Sequence, residues 1–168
     1  MGRSELASAL AALGMRCAAA EIVVVGGAAA ILCQWLERAT VDVDVAVSDP
    51  RLAALAGEIE AVAEELGLPR GWVNDSAKAF SGVLPSDFRE RLIEVGRWGG
   101  LRVLAIGRRD FILMKLFAMR AEDVLDLRAL APTPEELDFV RGELPRIASF
   151  DPRRAHLMSL YLEQGGSP

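Results

Sequence analysis

The 168-residue sequence predicts an α/β fold (an α+β mixed sheet), with a small mixed sheet covered by helices in a single domain. Short β-branched runs alternate with Ala-rich helical stretches in the first half of the chain. A β-hairpin pattern occupies the middle of the chain, and the last third has helical patterns. Hydrophobic residues make up 52% of the chain, which is enough for a core without disulfide or zinc support.

The first half of the chain is predicted as alternating helices and strands. The predicted elements are a helix over 6–20 that can break at Gly14, a strand over 22–25, a helix over 28–37, a strand over 41–47 and a helix over 50–66. The Gly26-Gly27 pair turns the chain from the first strand into the second helix. Asp49 is the predicted N-cap of the last of these helices, and Gly67 follows its end.

The second predicted strand has an unusual polar face. Its valines at every second position from Val41 to Val47 share one face, so Asp42 and Asp44 project from the other. Two carboxylates on one face repel each other, and Asp is a poor strand residue. A cation is therefore expected beside them, and hard oxygen ligands of this kind suit Mg²⁺.

The second half of the chain is predicted as a hairpin followed by helices. The predicted features are an irregular segment over 71–78, a loop over 80–88, strands over 91–95 and 101–106 joined through 97–100, a helix over 109–130 that can be in two pieces, a helix starting at Thr133, a helix over 152–164 and a frayed tail over 165–168. Thr133 and Glu136 have the spacing of a capping box.

Charge and hydropathy exclude several classes of protein. The chain has 19 basic and 24 acidic residues, a net charge of −5, which argues against a broad nucleic-acid-binding surface but allows contact with a short RNA end. The apolar run over 22–36 is too short to span a membrane, and charges interrupt the amino end where a signal peptide would be apolar. We expect a cytoplasmic protein without membrane contact.

The Gly-Gly pair and the two aspartates together indicate phosphate chemistry. A Gly-Gly turn between a strand and a helix lets backbone N–H groups approach an anion closely. Alone, such a pair is more often an ordinary turn, and an Asp-Val-Asp strand is more often a solvated face. Their occurrence within 19 residues, with Arg38 and Thr40 between them, favours phosphoryl or nucleotidyl transfer.

These residues resemble the signature of the nucleotidyltransferase superfamily, a Gly-Gly or Gly-Ser pair followed by Asp-x-Asp on the next strand. The form Arg38-x-Thr40-x-Asp42-x-Asp44 is similar to the minimal nucleotidyltransferases and the AbiEii-like (type IV toxin) group. The block from Lys115 to Asp126 resembles a helix of that group, and Trp-Val-Asn-Asp over 72–75 resembles a segment of uncharacterised relatives. The resemblance covers about 21–130, with a helical extension over about 131–168.

The resemblance implies a nucleotidyltransferase-like βαβ core with a central β-hairpin and C-terminal helices. It implies Mg²⁺-dependent transfer of a nucleoside monophosphate from a nucleoside triphosphate (NTP) to a hydroxyl, with release of pyrophosphate. The acceptor would be a tRNA or a partner protein, such as the cognate toxin or antitoxin of a toxin–antitoxin or phage-defence system. Asp42 and Asp44 would ligate the metal, and Gly26 and Gly27 would hold the triphosphate, with Arg38 and Thr40 beside it.

Two departures from the signature keep a second function open. Many active relatives have Ser directly after the first Gly, whereas this chain has Gly27 and then Ala28. The superfamily usually has a third carboxylate on a later strand, as the base for the attacking hydroxyl. Glu94 is the candidate here, and its alternative is an ordinary surface strand position. The alternative function is a catalytically inactive module that binds nucleotide or a partner protein.

The helical block has two interpretations as well. Lys115 lies in an apolar stretch, where a charge needs a partner, and we expect it to line the site with Arg120, near phosphate or the Asp pair. Alternatively, the spacing of three between Arg120, Asp123 and Asp126 is that of ordinary surface pairs.

Overall fold

A five-stranded mixed sheet confirms the predicted α/β class. The computed structural model describes residues 1–80 and 82–163. The strands are β1 (Ala20–Val24), β2 (Val43–Asp49), β3 (Val73–Asn74), β4 (Ile93–Trp98) and β5 (Leu101–Ala105). Their order is β3-β2-β1-β5-β4. β1 is antiparallel to β2 and parallel to β5, while β3 is parallel to β2 and β4 is antiparallel to β5.

Helices precede, separate and follow these strands along the chain. They are α1 (Arg3–Gly14), α2 (Gly26–Leu32), α3 (Ala56–Leu66), α4 (Arg108–Ala118), α5 (Ala121–Leu130), α6 (Pro134–Ala148) and α7 (Pro152–Glu163). Short 3-10 helices cover Leu52–Leu55, Ser76–Phe80 and Phe88–Arg91. Among the helices so described, none is long and apolar enough to span a membrane.

The described residues form two compact units. The first, which we call the sheet unit, contains residues 1–80 and 89–106, and therefore the sheet with α1, α2 and α3. The second, the helical unit, contains 82–88 and 107–163 and therefore α4 to α7. The organisation of the whole chain as one domain, with an extension after about residue 130, stays a prediction.

The core of the sheet unit lies on one face of the sheet. Alternate strand residues such as Ile22, Val24, Val43 and Val103 are buried there, as strand geometry requires. Apolar side chains of the three helices pack in the same cluster. The buried Trp72 donates from its indole nitrogen to the Ile59 carbonyl oxygen at 3.1 Å, so its polar atom is satisfied. This core fixes β2 between β1 and β3.

The bounds of β2 and its neighbours correct the sequence prediction. β2 begins at Val43, so Val41 and Asp42 precede the strand, and Val41 is 73% exposed while Val43 is buried. β2 also continues to Asp49, which pairs with Glu21 of β1, so the helix predicted from Pro50 begins only at α3. The pairing of β2 with β1 therefore outweighs the helix-start signal of Asp49 and Pro50. The predicted end of that helix at Gly67 (φ +64°) is confirmed.

Backbone conformation explains where the other predicted helices end. α1 ends at Gly14 instead of residue 20, at the break that the sequence allows, and β1 begins at Ala20; a Cβ on Gly14 would lie 2.0 Å from the Trp98 carbonyl oxygen. α2 begins at Gly26 instead of residue 28, and it ends at Leu32 instead of residue 37, shortly before Gln34 takes a left-handed conformation (φ +59°). Met119 (φ +48°) separates α4 from α5, which confirms a helix in two pieces.

The remaining predicted elements differ in detail. The segment predicted as irregular contains the two-residue strand β3, and β4 extends over Ile93–Trp98, so the hairpin turn is at Gly99-Gly100. The capping box of α6 is confirmed, because Thr133 Oγ1 accepts from the Glu136 amide at 3.3 Å. α7 confirms the last helix over Pro152–Glu163. Its predicted final residue and the predicted tail lie outside the described residues.

Candidate active site

Gly26 and Gly27 form the first turn of α2, directly after β1, and this Gly-Gly turn lies against the aspartate of β2. Gly26 has a φ of +59°, a left-handed conformation that favours glycine. A Cβ built on Gly26 would lie 3.1 Å from Asp44 Oδ2. The amide of Val25, the N-cap of α2, donates to the Asp44 carbonyl oxygen at 2.9 Å. The turn is therefore fixed to β2 at the position of Asp44.

The second glycine contacts the residues that precede β2. A Cβ built on Gly27 would lie 3.1 Å from Arg38 Nη2 and 3.1 Å from Thr40 Oγ1. These distances are shorter than ordinary van der Waals contacts, so any larger side chain would have to displace Arg38 or Thr40. The sheet unit thus brings together Gly26, Gly27, Arg38, Thr40 and Asp44, which the sequence predicts as one site.

Asp42 occupies a different structural position from Asp44. It lies just before β2, and both carboxylates are half-buried, on either side of the fully buried Val43. Thr40 Oγ1 donates to the Asp42 carbonyl oxygen at 3.1 Å and lies 3.5 Å from Asp42 Oδ1. Asp42 Oδ2 accepts from Asn74 Nδ2 at 3.3 Å. Side-chain contacts from two segments therefore surround the Asp42 carboxylate.

Asn74 is a site residue that the sequence analysis missed. It belongs to β3 and is the register partner of Asp44 in β2. The only signal for it was the Trp-Val-Asn-Asp segment over 72–75, which carried no assigned role. A strand of two residues has too short a pattern to be recognised, so its place beside β2 could not be foreseen.

The donor set suits a small divalent cation. Asp42 and Asp44 supply carboxylate oxygens and Thr40 a hydroxyl oxygen, which are the hard ligands that Mg²⁺ prefers. Residues 1–80 and 82–163 contain no group of three or more His, Cys, Asp or Glu side chains arranged to hold a metal ion. Two carboxylates with open positions for water or phosphate oxygens are the common pattern for Mg²⁺. The residues present therefore fit this cation.

A cavity of about 580 Å³ in the sheet unit shares one residue, Arg38, with this site. Its lining residues are Arg3, Ile31, Gln34, Leu36, Glu37 and Arg38. Arg38 is shared, because its guanidinium also approaches Gly27. Ligand pockets in proteins have volumes of roughly 300–1,000 Å³, so the cavity has room for part of a nucleotide.

Glu94, the candidate third carboxylate, does not lie beside Asp42 and Asp44. It lies on β4, and the strand order places β1 and β5 between β4 and β2. At ~4.8 Å per strand, that separation is about 14 Å. Glu94 Oε2 accepts from Arg102 Nε at 2.7 Å and lies 3.4 Å from Arg97 Nη2. The hydrogen bond from Arg102, and then that from Arg97, hold the pKa of Glu94 below its usual value.

The helical unit contains the second block of predicted residues. Lys115 of α4 donates to Asp123 Oδ1 at 2.6 Å and lies 2.8 Å from Asp126 Oδ2, both on α5. The exposed fractions of the three residues are 8%, 3% and 7%. The expectation that Lys115 needs a partner is confirmed. The alternative of ordinary surface pairs is wrong, because Asp123 and Asp126 are both buried and both contact Lys115.

Arg120 is the N-cap residue of α5. Its amide donates to Asp123 Oδ2 at 3.0 Å, and its Nη1 lies 3.7 Å from Glu122 Oε1. The same Asp123 therefore binds both Lys115 and the start of α5. The nucleotide-binding roles of Lys115 and Arg120 stay predictions, as do those of the residues in the sheet unit.

Comparison with known proteins identifies a family for this chain. The family described as "nucleotidyltransferase of unknown function" (DUF6036) matches residues 4–138, which include all the strands and most of the helices. The match starts earlier and ends later than the 21–130 suggested by sequence resemblance, and so takes in α1. No curated protein and no solved structure matches the chain.

Proposed function

The chain belongs to this nucleotidyltransferase family, and from that premise we propose that it transfers a nucleoside monophosphate from an NTP to an acceptor hydroxyl, with Mg²⁺. The observation that carries the proposal is the contact of the Gly-Gly turn with Asp44, Arg38 and Thr40. A turn without side chains, a guanidinium and a carboxylate at one place suit a metal-bound triphosphate.

In this proposal the chain's own residues bind and orient the triphosphate. Gly26 and Gly27 add no side chain beside Asp44, Arg38 and Thr40, and the Arg38 guanidinium beside Gly27 offsets phosphate charge. Asp42 and Asp44 would hold Mg²⁺, which when bound neutralises charge that develops on the phosphate oxygens. The cavity that shares Arg38 with the turn would take part of the nucleotide.

The proposed reaction forms one bond and breaks one. The acceptor hydroxyl oxygen bonds to the α-phosphorus, the bond from that phosphorus to the bridging oxygen of the β-phosphate breaks, and pyrophosphate leaves with the electron pair. The hydroxyl proton goes to solvent in this proposal, because Glu94 is about three strands from β2 by strand spacing. Enzymes of this kind accelerate transfer mainly through positioning and charge neutralisation.

For the acceptor we propose the hydroxyl of a tRNA end or of a cognate toxin or antitoxin protein. Similarity of the Arg-x-Thr-x-Asp-x-Asp segment to the minimal nucleotidyltransferases and the AbiEii-like group supports this choice. A net charge of −5 disfavours a long RNA footprint, because affinity for RNA comes largely from phosphate neutralisation, and favours a small acceptor contact.

The test is incubation with Mg²⁺ and NTPs labelled at the α- or the γ-phosphate, with total tRNA or candidate partner proteins added separately. We expect the α label, and not the γ label, to become covalently attached to one acceptor. Attachment of the γ label would instead show phosphoryl transfer and overturn the proposal. Nucleotide-induced thermal stabilisation without any transfer would favour the alternative, an inactive nucleotide-binding module.

A further inference from the structure

The orientation of Asp42 cannot come from the sheet alone. β2 begins at Val43, whose amide donates to the Trp72 carbonyl oxygen at 2.6 Å, and Asp42 lies outside this ladder. Asp44, by contrast, lies within the strand and its carbonyl oxygen accepts from Val25. The direction of the Asp42 carboxylate therefore depends on the side chains that bind it.

Asn74 connects the two carboxylate positions. It is paired with Asp44 across the β2–β3 ladder, and its Nδ2 donates to Asp42 Oδ2 at 3.3 Å. Because neighbouring strands lie about 4.8 Å apart, one residue of β3 can reach both Asp44, near the start of β2, and Asp42, which precedes the strand. Asn74 therefore contacts Asp42 through its side chain and Asp44 through the strand register.

The amide of Asn74 is itself held in one orientation. Its Oδ1 accepts from the Ser76 backbone amide at 2.9 Å. A backbone N–H can only donate, so the oxygen of the side-chain amide must face Ser76 and the NH₂ group must face Asp42. An Asp at this position could not donate to Asp42 and would add a third negative charge beside it. The chain therefore has a neutral donor where a carboxylate would repel Asp42.

We propose that Asn74 is a positioning residue, which orients Asp42 so that it binds a divalent cation together with Asp44. This inference rests on the proposed function, because the cation belongs to that site. Partners that orient a metal ligand by a hydrogen bond typically change metal affinity by about 10–100-fold when they are replaced.

The test is Mn²⁺ binding, measured by electron paramagnetic resonance and by competition with Mg²⁺. Asn74→Leu keeps the branched shape and the net charge but removes the donor, and Asn74→Ala is a second variant should the first not fold. We expect either variant to weaken Mn²⁺ binding by about tenfold or more. Ser48→Ala, on a half-buried polar residue at the other end of β2, is the matched control and should bind as the parent does.

Thermal unfolding without cation separates positioning from a merely structural role. A variant with a lower Tm but unchanged Mn²⁺ affinity would overturn the inference and leave the proposed function intact. Absence of Mn²⁺ binding in the parent, or equal binding by Asp44→Asn, would overturn the cation site and this inference with it. The two failures are therefore distinguishable.

Discussion

Gly26 is a position in the proposed site where the structure favours glycine over other residues. Its φ of +59° is unfavourable for any residue with a Cβ, and that Cβ would also lie 3.1 Å from Asp44 Oδ2. Neither constraint is visible in sequence, where a Gly-Gly pair after a strand indicates only a turn. The structure adds the reason that this turn needs glycine at its first position.

The substitution Gly26→Ala should therefore lower the free energy of unfolding by about 1–2 kcal/mol, the usual strain of a left-handed conformation. It should also reduce nucleotidyl transfer, because relief of the contact displaces Asp44. Urea denaturation and the transfer assay measure the two effects. Gly57→Ala is the control, since a Cβ there meets nothing within 4 Å. Equal stability of both variants would contradict the prediction.

The residues of the site differ in how far sequence could predict them. Gly26, Gly27, Arg38, Thr40 and Asp44 were foreseen as a group, because a short span of chain holds them and local pairing of β1 with β2 brings them together. Sequence suggested Glu94 because it lies in a strand, but strand order is a tertiary property that residue patterns do not contain. Asn74 was missed because β3 is too short to be recognised and its position beside β2 is also a tertiary property.

Helix ends that depend only on neighbouring residues were predicted correctly, whereas element ends that depend on strand pairing were not. The capping box at Thr133 and the glycine after Leu66 depend on neighbouring residues only, and both helix ends were predicted correctly. β2 starts where it pairs with β3, at Val43, and it continues to Asp49 because it pairs there with β1, which delays the start of α3. Prediction from local pattern therefore misplaced Asp42 inside the strand.

The buried charges between α4 and α5 give a prediction about those two helices. Replacing Lys115 with Met leaves Asp123 and Asp126 without their cation in a buried setting. We expect the free energy of unfolding to fall by about 3–5 kcal/mol, as for other broken buried ion pairs. Urea denaturation measures this loss.

Two comparison variants make that result interpretable. Adding Asp123→Asn and Asp126→Asn to Lys115→Met should recover part of the stability, because the uncompensated charges are then gone. Arg16→Ala breaks the exposed pair with Glu65 and should change stability by less than about 1 kcal/mol. An effect of Lys115→Met as small as that of Arg16→Ala would show that the buried cluster is unimportant for the helical unit.

For the whole molecule, the net negative charge is compatible with the family when the positions of the charged residues are considered. The acidic total includes Asp42 and Asp44, which a cation would neutralise, whereas residues 76–130 carry 10 basic and 7 acidic side chains. The family match over 4–138 spans β1 to β5 and reaches into both compact units. An acidic chain is therefore compatible with the nucleotide chemistry of its family, and the proposed acceptor contact is small.

In the proposed function, Asp42 and Asp44 at the Gly-Gly turn are required for nucleotidyl transfer. The most direct measurement is transfer of the α label by the double variant Asp42→Asn/Asp44→Asn, compared with the parent and with Ser48→Ala. We predict a loss of about a thousandfold or more in the double variant, since several kcal/mol of charge stabilisation is removed. Ser48→Ala should retain full activity, and transfer at the parental rate by the double variant would contradict the claim.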